Sequence, residues 1–389
     1  MMNTSRRGLA LALPLALACT SGDSGPDIVA RDSSGVRIVE APAVDAPIPW
    51  TLTEIGRLGG ADSGPASFTD ANAWSVGTDR NGRIYVLDRT NFMVSVFDTS
   101  GNVVRTMGGK GGGPGEFQFP GSLTVTPEGE VNVFDFGKQA LVKFAPDGTV
   151  LPQFSLQPYG FPSGQLEITG DTLVMVVPTG GGEADNFRVQ NLRIVSPRDS
   201  VTIARDSVPT PGMVMFSCVG LNIPPPFASD LAWGVGSGTL AVTRRVPYVI
   251  DFFRGGRLVS SIRRDIPPVT ATTEHVRKLY PEGMTVQFGG GGKCTVEAKD
   301  IIEKLGAGGD VPFIRAIAFG PGGTTWVERY TFKDEDKMLD IFAEDGRYLG
   351  TLSGHSLPMG FIGEDVVLFP VEDESTGAVL VGLFRIARG

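Results

Sequence analysis

Asp88 and Asp135 each close an apolar run and stand at corresponding positions 47 residues apart. Two carboxylates brought to one opening could bind Ca²⁺ or Mg²⁺, or divide the roles of acid and base. Each could instead cap its own loop in an Asx-turn, the duty expected of a residue that recurs with a repeat. Only two imidazoles exist, His275 and His355. His355 is the one placed to join the aspartates, whereas His275 reads as a surface residue of a short helix. No serine sits in a Gly-x-Ser-x-Gly elbow, and Cys218 has no obvious base beside it. The glycine-dense stretch from Gly108 to Gly115 contains Lys110. That lysine precedes the glycine run and no Ser or Thr follows a Gly-Lys pair, so the stretch is an inter-element loop and not a phosphate cradle. Gly289 to Gly292, ahead of Lys293 and Cys294, likewise reads as a connection. Binding chemistry is better represented. Phe117, Phe119, Tyr159, Phe161 and Tyr330, with Arg89, Arg244, Arg245 and Arg329, are the kinds of residue that anchor protein, peptide or glycan ligands when exposed.

The elements that must position these groups are short strands. The chain has 389 residues, 41% of them hydrophobic and 20% charged, which supports a packed core. Its 53 Gly and 28 Pro are spread without a three-residue period, which excludes collagen and breaks long helices. Three Cys and two His are too few for a disulfide-dense mini-domain or a His-rich metal centre. A glycine followed by an apolar strand recurs six times, as Gly82–Val86, Gly129–Val133, Gly170–Val174, Gly238–Val242, Gly323–Val327 and Gly363–Val367. The steps are 47, 41, 68, 85 and 40 residues, and three of them fit one propeller blade. Around each copy lie a preceding strand, a tight turn such as Asn81-Gly82, an alternating third strand such as Met93–Phe97, and a fourth strand such as Val103–Met107. The expectation is an all-β fold: a six-bladed β-propeller of four-stranded antiparallel blades over residues 35–389.

The ends and the long steps complete this reading. The sixth copy runs out at Gly389 after three strands. Gly59 to Phe68 matches Gly108 to Phe117, and the second block follows a fourth strand. Trp50–Leu58 should therefore be the fourth strand of the last blade, closing the ring and removing its open edge. The two long steps carry insertions, at about 205–229 and 265–312. Both fall between blades, on the face that also carries the loops joining second and third strands. That face surrounds the channel mouth, the default ligand site. The second insertion should hold two short helices, Thr272–Tyr280 and Val296–Leu305, capped by Thr270 or Thr295. Cys218 and Cys294 lie one in each insertion, and in an exported protein they are expected to pair.

Export is read from the start of the chain. Arg6 and Arg7 precede an apolar run of eleven residues, Gly8 to Ala18, too short to span a bilayer. Residues 1–18 are read as a signal peptide and 19–34 as a flexible, Ser/Gly/Asp-rich tether. Losing Arg6 and Arg7 with the signal takes the net charge from −9 to −11. Such a chain does not attract phosphate backbones, so nucleic acid is excluded as a partner.

Several stretches carry resemblances. Ser5 to Leu9 looks like a twin-arginine signal. Ala16 to Cys19 resembles a bacterial lipobox, with Ala16 where Leu is usual, which implies lipidation of Cys19. Thr20 after the Cys, in place of a retaining Asp, points to the outer membrane. The membrane is then a partner only through that lipid. Gly113 to Phe117, Pro120, and the strand ending Val133-Phe134-Asp135 resemble NHL-repeat propellers, as do Asp88, Phe97 and Phe144. The match is good over about 67–155, fair in blade five and weak elsewhere. The whole chain resembles exported six-bladed propeller lipoproteins of bacteria, most without an assigned reaction. This implies a non-catalytic binding module of the cell envelope that needs no cofactor. Streptogramin lyases, lactonases and amidated-peptide lyases, which resemble this fold, place His and metal ligands around the channel. They imply the alternative: a metal-assisted lyase or lactonase using Asp88, Asp135 and His355 with Ca²⁺ or Mg²⁺.

Overall fold

A computed structural model describes residues 29–60, 64, 67–72, 75–162, 165–169, 172–180, 187–196, 199–228, 230–287, 292–332 and 337–389. The signal, Cys19 and the first part of the tether lie outside the described residues. Six sheets form a ring, each with strands numbered here from the channel outward. Blade one is built from Val76–Thr78, Ile84–Asp88, Met93–Phe97 and Val103–Gly108. Blade two is Pro120–Val125, Val131–Asp135, Ala140–Phe144 and Val150–Ser155. Blade three is Leu166–Thr169, Thr172–Gly180, Phe187–Val195 and Ser200–Pro209. Blade four is Ala232–Gly236, Thr239–Thr243, Val249–Arg254 and Arg257–Arg264. Blade five is Ile314–Phe319, Thr325–Arg329, Met338–Phe342 and Tyr348–Ser353. Blade six is Gly360–Ile362, Val366–Glu372 and Val379–Arg388, completed by Trp50–Leu58. The closure is antiparallel, with Glu54 opposite Phe384.

Period-two alternation explains why the blades stack. In the second strand of blade one, Ile84 and Val86 face blade six, while Tyr85 and Leu87 face blade two. One apolar layer fills each of the six gaps between neighbouring blades. The repeated glycine has a backbone reason. Gly82, Gly129, Gly238, Gly323 and Gly363 all take φ between 58° and 90°, a region that favours glycine.

The N-terminal part departs from expectation. Val29–Ser33, assigned above to the tether, pairs with Val36–Ala41 in a hairpin. Val36–Ala41 then runs parallel to the fourth strand of blade four, making that sheet six-stranded. Ala46 and Ile48 exchange backbone hydrogen bonds with Thr351 on the outer strand of blade five. Residues 29–58 thus form a strap along the rims of blades four, five and six. The strand VRIVEA shows no period-two alternation, burying the adjacent Ile38 and Val39, so the sequence held no signal to separate it from a linker.

The insertions also differ in detail. The fourth strand of blade three continues to Pro209, so the first insertion begins after the expected residue 205. The second holds α1 (Thr273–Leu279) and α2 (Ala298–Leu305), with a hairpin between them, Met284–Gln287 against Lys293–Val296. Val296 belongs to that hairpin. The caps are Thr272, whose backbone N–H donates to Nδ1 of His275, and Glu297. The expected disulfide is present between Cys218 and Cys294, with Cα atoms 5.9 Å apart. Around it Phe216, Phe227, Val276, Val296 and Ile301 form a seventh, separate apolar cluster.

Candidate functional site in the central channel

The aspartates serve their own loops. Asp88 Oδ1 accepts from the backbone N–H groups of Thr90 and Asn91 at 2.8 and 3.0 Å. Asp135 is fully buried and accepts from the backbone N–H groups of Gln118, Phe119 and Lys138 at 2.7–3.1 Å. It thereby ties the turn after its strand to the loop entering its blade. His355 stacks on Phe369 with ring centroids 4.6 Å apart, and burial holds its pKa below the usual 6.5. His275 stacks on Phe332 inside the insertion cluster. Among the described residues no three His, Cys, Asp or Glu side chains gather to hold a metal.

The expected ligand anchors divide in two. Phe117 is fully buried, and its role is to set the blade junction: a Cβ on Gly108 would overlap its ring, and it meets Phe144 edge-on. Phe68, Gly59 and Phe97 repeat the arrangement one blade earlier. Phe117 is therefore corrected from a ligand residue to a core residue, since the Gly-Gly-to-Phe motif exists to seat that ring. Arg329 is corrected likewise. Its guanidinium reaches Asp45 at 3.1 Å and Asp340 at 3.4 Å. Asp340 is the centre of a buried network: it accepts from Arg264 at 2.7 Å, Tyr248 at 2.7 Å and Thr351 at 2.6 Å. Burial, then the nearby Asp340 carboxylate, drives the Tyr248 pKa well above 10. Tyr330 packs edge-on against Phe332 and Phe227 in the insertion cluster, so it too is mainly structural.

Phe119, Arg89 and Arg244 remain available. Phe119 is 66% exposed and heads a string of rings, Phe119–Phe136–Phe161, spaced 5.9 and 5.6 Å. Arg89 faces Asp70 at 3.7 Å, and Arg244 donates to the carbonyl of Arg205 at 3.3 Å. Arg245 lies at the wall of the channel, with φ of 70°, paired to Asp230 at 3.2 Å.

The channel itself is a cavity of about 820 Å³, lined by the first strands of all six blades. Small residues let these strands approach. A Cβ on Gly77 would lie 2.7 Å from Val125, and one on Gly234 would strike the Ile317 carbonyl of blade five. Among the described residues its charged lining groups are Glu167, Asp230, Arg245 and Arg315. Each comes from the start of a first strand or, for Arg245, the end of a second strand. That places them at the mouth bearing the insertions. Glu167 was not singled out by sequence reasoning. The available signal was an acid inside a short apolar strand, Leu166-Glu167-Ile168. It accepts from Gln165 Nε2 at 3.3 Å. Burial pushes its carboxyl up to about 7, against the lowering effect of that hydrogen bond. By surface area the residue is half-buried.

Residues 78–154 match a family model described as a 6-bladed beta-propeller. A Bacteroides fragilis protein named for its inferred export is 14% identical, covering 90% of this chain and 99% of that one, with a TM-score of 0.52. A catalytically inactive virginiamycin B lyase from Staphylococcus aureus, with quinupristin, is 13% identical over 86% and 99% of the two chains, at a TM-score of 0.39. Regucalcin from Agrobacterium tumefaciens, a calcium-binding protein, is 10% identical over 90% and 96%, at 0.42. The first superposition shows a shared fold; the other two are too loose to bear on chemistry. No curated protein matches the sequence.

Proposed function

We propose that this is an exported envelope protein, anchored through a lipid on Cys19, whose propeller binds a peptide, protein or glycan ligand at the insertion-bearing channel mouth without transforming it. One observation carries the binding reading: among the described residues, every charged group lining the ≈820 Å³ channel, Glu167, Asp230, Arg245 and Arg315, stands at this one mouth. The disulfide-stapled insertions stand on the same face and give it a fixed rim. Export and anchoring rest on the basic-apolar start and its lipobox-like end. The lyase or lactonase reading gains no support, because Asp88 already directs its oxygen to backbone N–H groups of its own loop and Asp135 to those of the loop entering its blade.

The test is to probe peptide and glycan arrays with the purified protein and with Ala316→Trp, which fills the channel from blade five. Wild-type protein should retain a defined subset of ligands and Ala316→Trp should lose it. Equal retention by both would overturn the reading. Metabolic labelling with a fatty acid should mark the wild-type chain and not Cys19→Ser.

A further inference from the structure

The channel wall is asymmetric. Among the described residues, blades three to five supply every charged lining residue, together with Trp233, Val235, Ile317 and Phe319, whereas blades six, one and two supply only uncharged ones, with Val125, Leu357 and Phe361 the half-buried apolar side chains there. The charges are not equally satisfied. Asp230 answers Arg245 at 3.2 Å, and Arg315 approaches Glu328 at 3.8 Å. Among the described residues Glu167 has no cation in ion-pair range, and its hydrogen-bond donor is the neutral amide of Gln165. Gln190, which also lines the wall, spends its Oε1 on the backbone N–H of Leu231.

Resting on the channel-binding reading, we propose that the mouth takes a small amphipathic cation, with its ammonium group on Glu167 and its apolar body against blades six, one and two. A carboxyl removed from bulk water is stable either protonated or beside a cation. Beside an ionised Glu167 an ammonium adds the attraction of opposite charges in a low-dielectric site to its hydrogen bond, whereas a hydroxyl offers the hydrogen bond alone, so the ammonium gains more. Arg245 and Arg315 do not oppose this, since each already faces its own acid. Ionisation of Glu167 near neutrality then makes binding tighten as pH rises, because the cation takes the place of the proton. A free amine and the unblocked N-terminus of a peptide share this chemistry.

Calorimetry with 2-phenylethylammonium and its neutral isostere 2-phenylethanol tests the idea. A short peptide with a free or an acetylated N-terminus, led by an apolar residue, separates the two sources. The amine should bind at least about tenfold tighter than the alcohol. Its affinity should rise several-fold from pH 6 to pH 8. Glu167→Gln, which keeps the shape of the side chain, should erase both the preference and the pH dependence. A preference for the free over the acetylated peptide would assign the peptide source; indifference, with the amine still bound, would assign the free amine. Equal binding of amine and alcohol, an unchanged preference in Glu167→Gln, or no binding of the amine would overturn the inference. Loss of both probes in Ala316→Trp, with Glu167→Gln unaltered, would leave the channel reading standing and sink only the cation. Probes bound equally by Ala316→Trp would sink both.

Discussion

Asp340 shows what a charge does here when it is not free to bind anything. It has no solvent exposure and holds Arg264, whose side chain is equally buried, together with Tyr248 and Thr351. Removing one partner of a buried pair leaves the other charge uncompensated. Asp340→Ala should lower unfolding stability by about 3–5 kcal/mol, read from urea denaturation. Glu167 behaves in the opposite sense to an ordinary carboxylate. Its folded pKa of about 7 lies above the value near 4.5 of the unfolded chain. The folded protein therefore binds more protons between those values, and the stability this group contributes is full below about 4.5 and lost as pH rises through about 7. Thermal melts between pH 5 and 8 should show that decline, and Glu167→Gln should flatten it. His355 acts the other way, since its lowered pKa removes stability as pH falls below 6.5. The Asp88 cap was legible in the sequence because its turn needs only the residues that follow it, Thr90 and Asn91, whereas the reach of Asp135 back to Gln118 and Phe119 was not. Arg329 and Phe117 were not, because the partners that claim them lie on other strands: Asp340 on the next strand of the blade, Asp45 on the N-terminal strap 284 residues away, and Phe144 on the third strand of blade two.

At the level of elements, the repeating strand quartet was readable from spacing, and the place of Trp50–Leu58 in the last sheet was readable from the likeness of Gly59–Phe68 to Gly108–Phe117. The strap was hidden because its main ties, to Ser260–Arg264 and Thr351, lie hundreds of residues away and one of them is a parallel pairing. The innermost strands carry their own constraint. Gly77→Val would push a side chain into Val125 and should destabilise the ring by about 1–3 kcal/mol, measured by denaturant melts. The insertions answer to a different bond. Their cluster stands apart from the six gap-filling layers and is stapled by Cys218–Cys294 across a separation of 76 residues. Chain entropy assigns a closure of that length roughly 4 kcal/mol. Cys218→Ser should loosen the insertions while sparing the blades. Hydrogen exchange would then quicken at α1, α2 and their hairpin and stay slow in Thr325–Arg329.

For the molecule as a whole, closure is shared between two distant stretches of chain. Val379–Arg388 supplies the third strand of the last sheet and Trp50–Leu58 the fourth. Neither can satisfy its backbone groups alone. A nascent polypeptide therefore carries Trp50–Leu58 unmated until Val379–Arg388 has been made. Stopping synthesis after Glu372 should yield material that aggregates or melts without cooperativity, whereas wild-type protein melts in one transition. Any chaperone that shields that edge must accordingly hold it through the making of the intervening five blades.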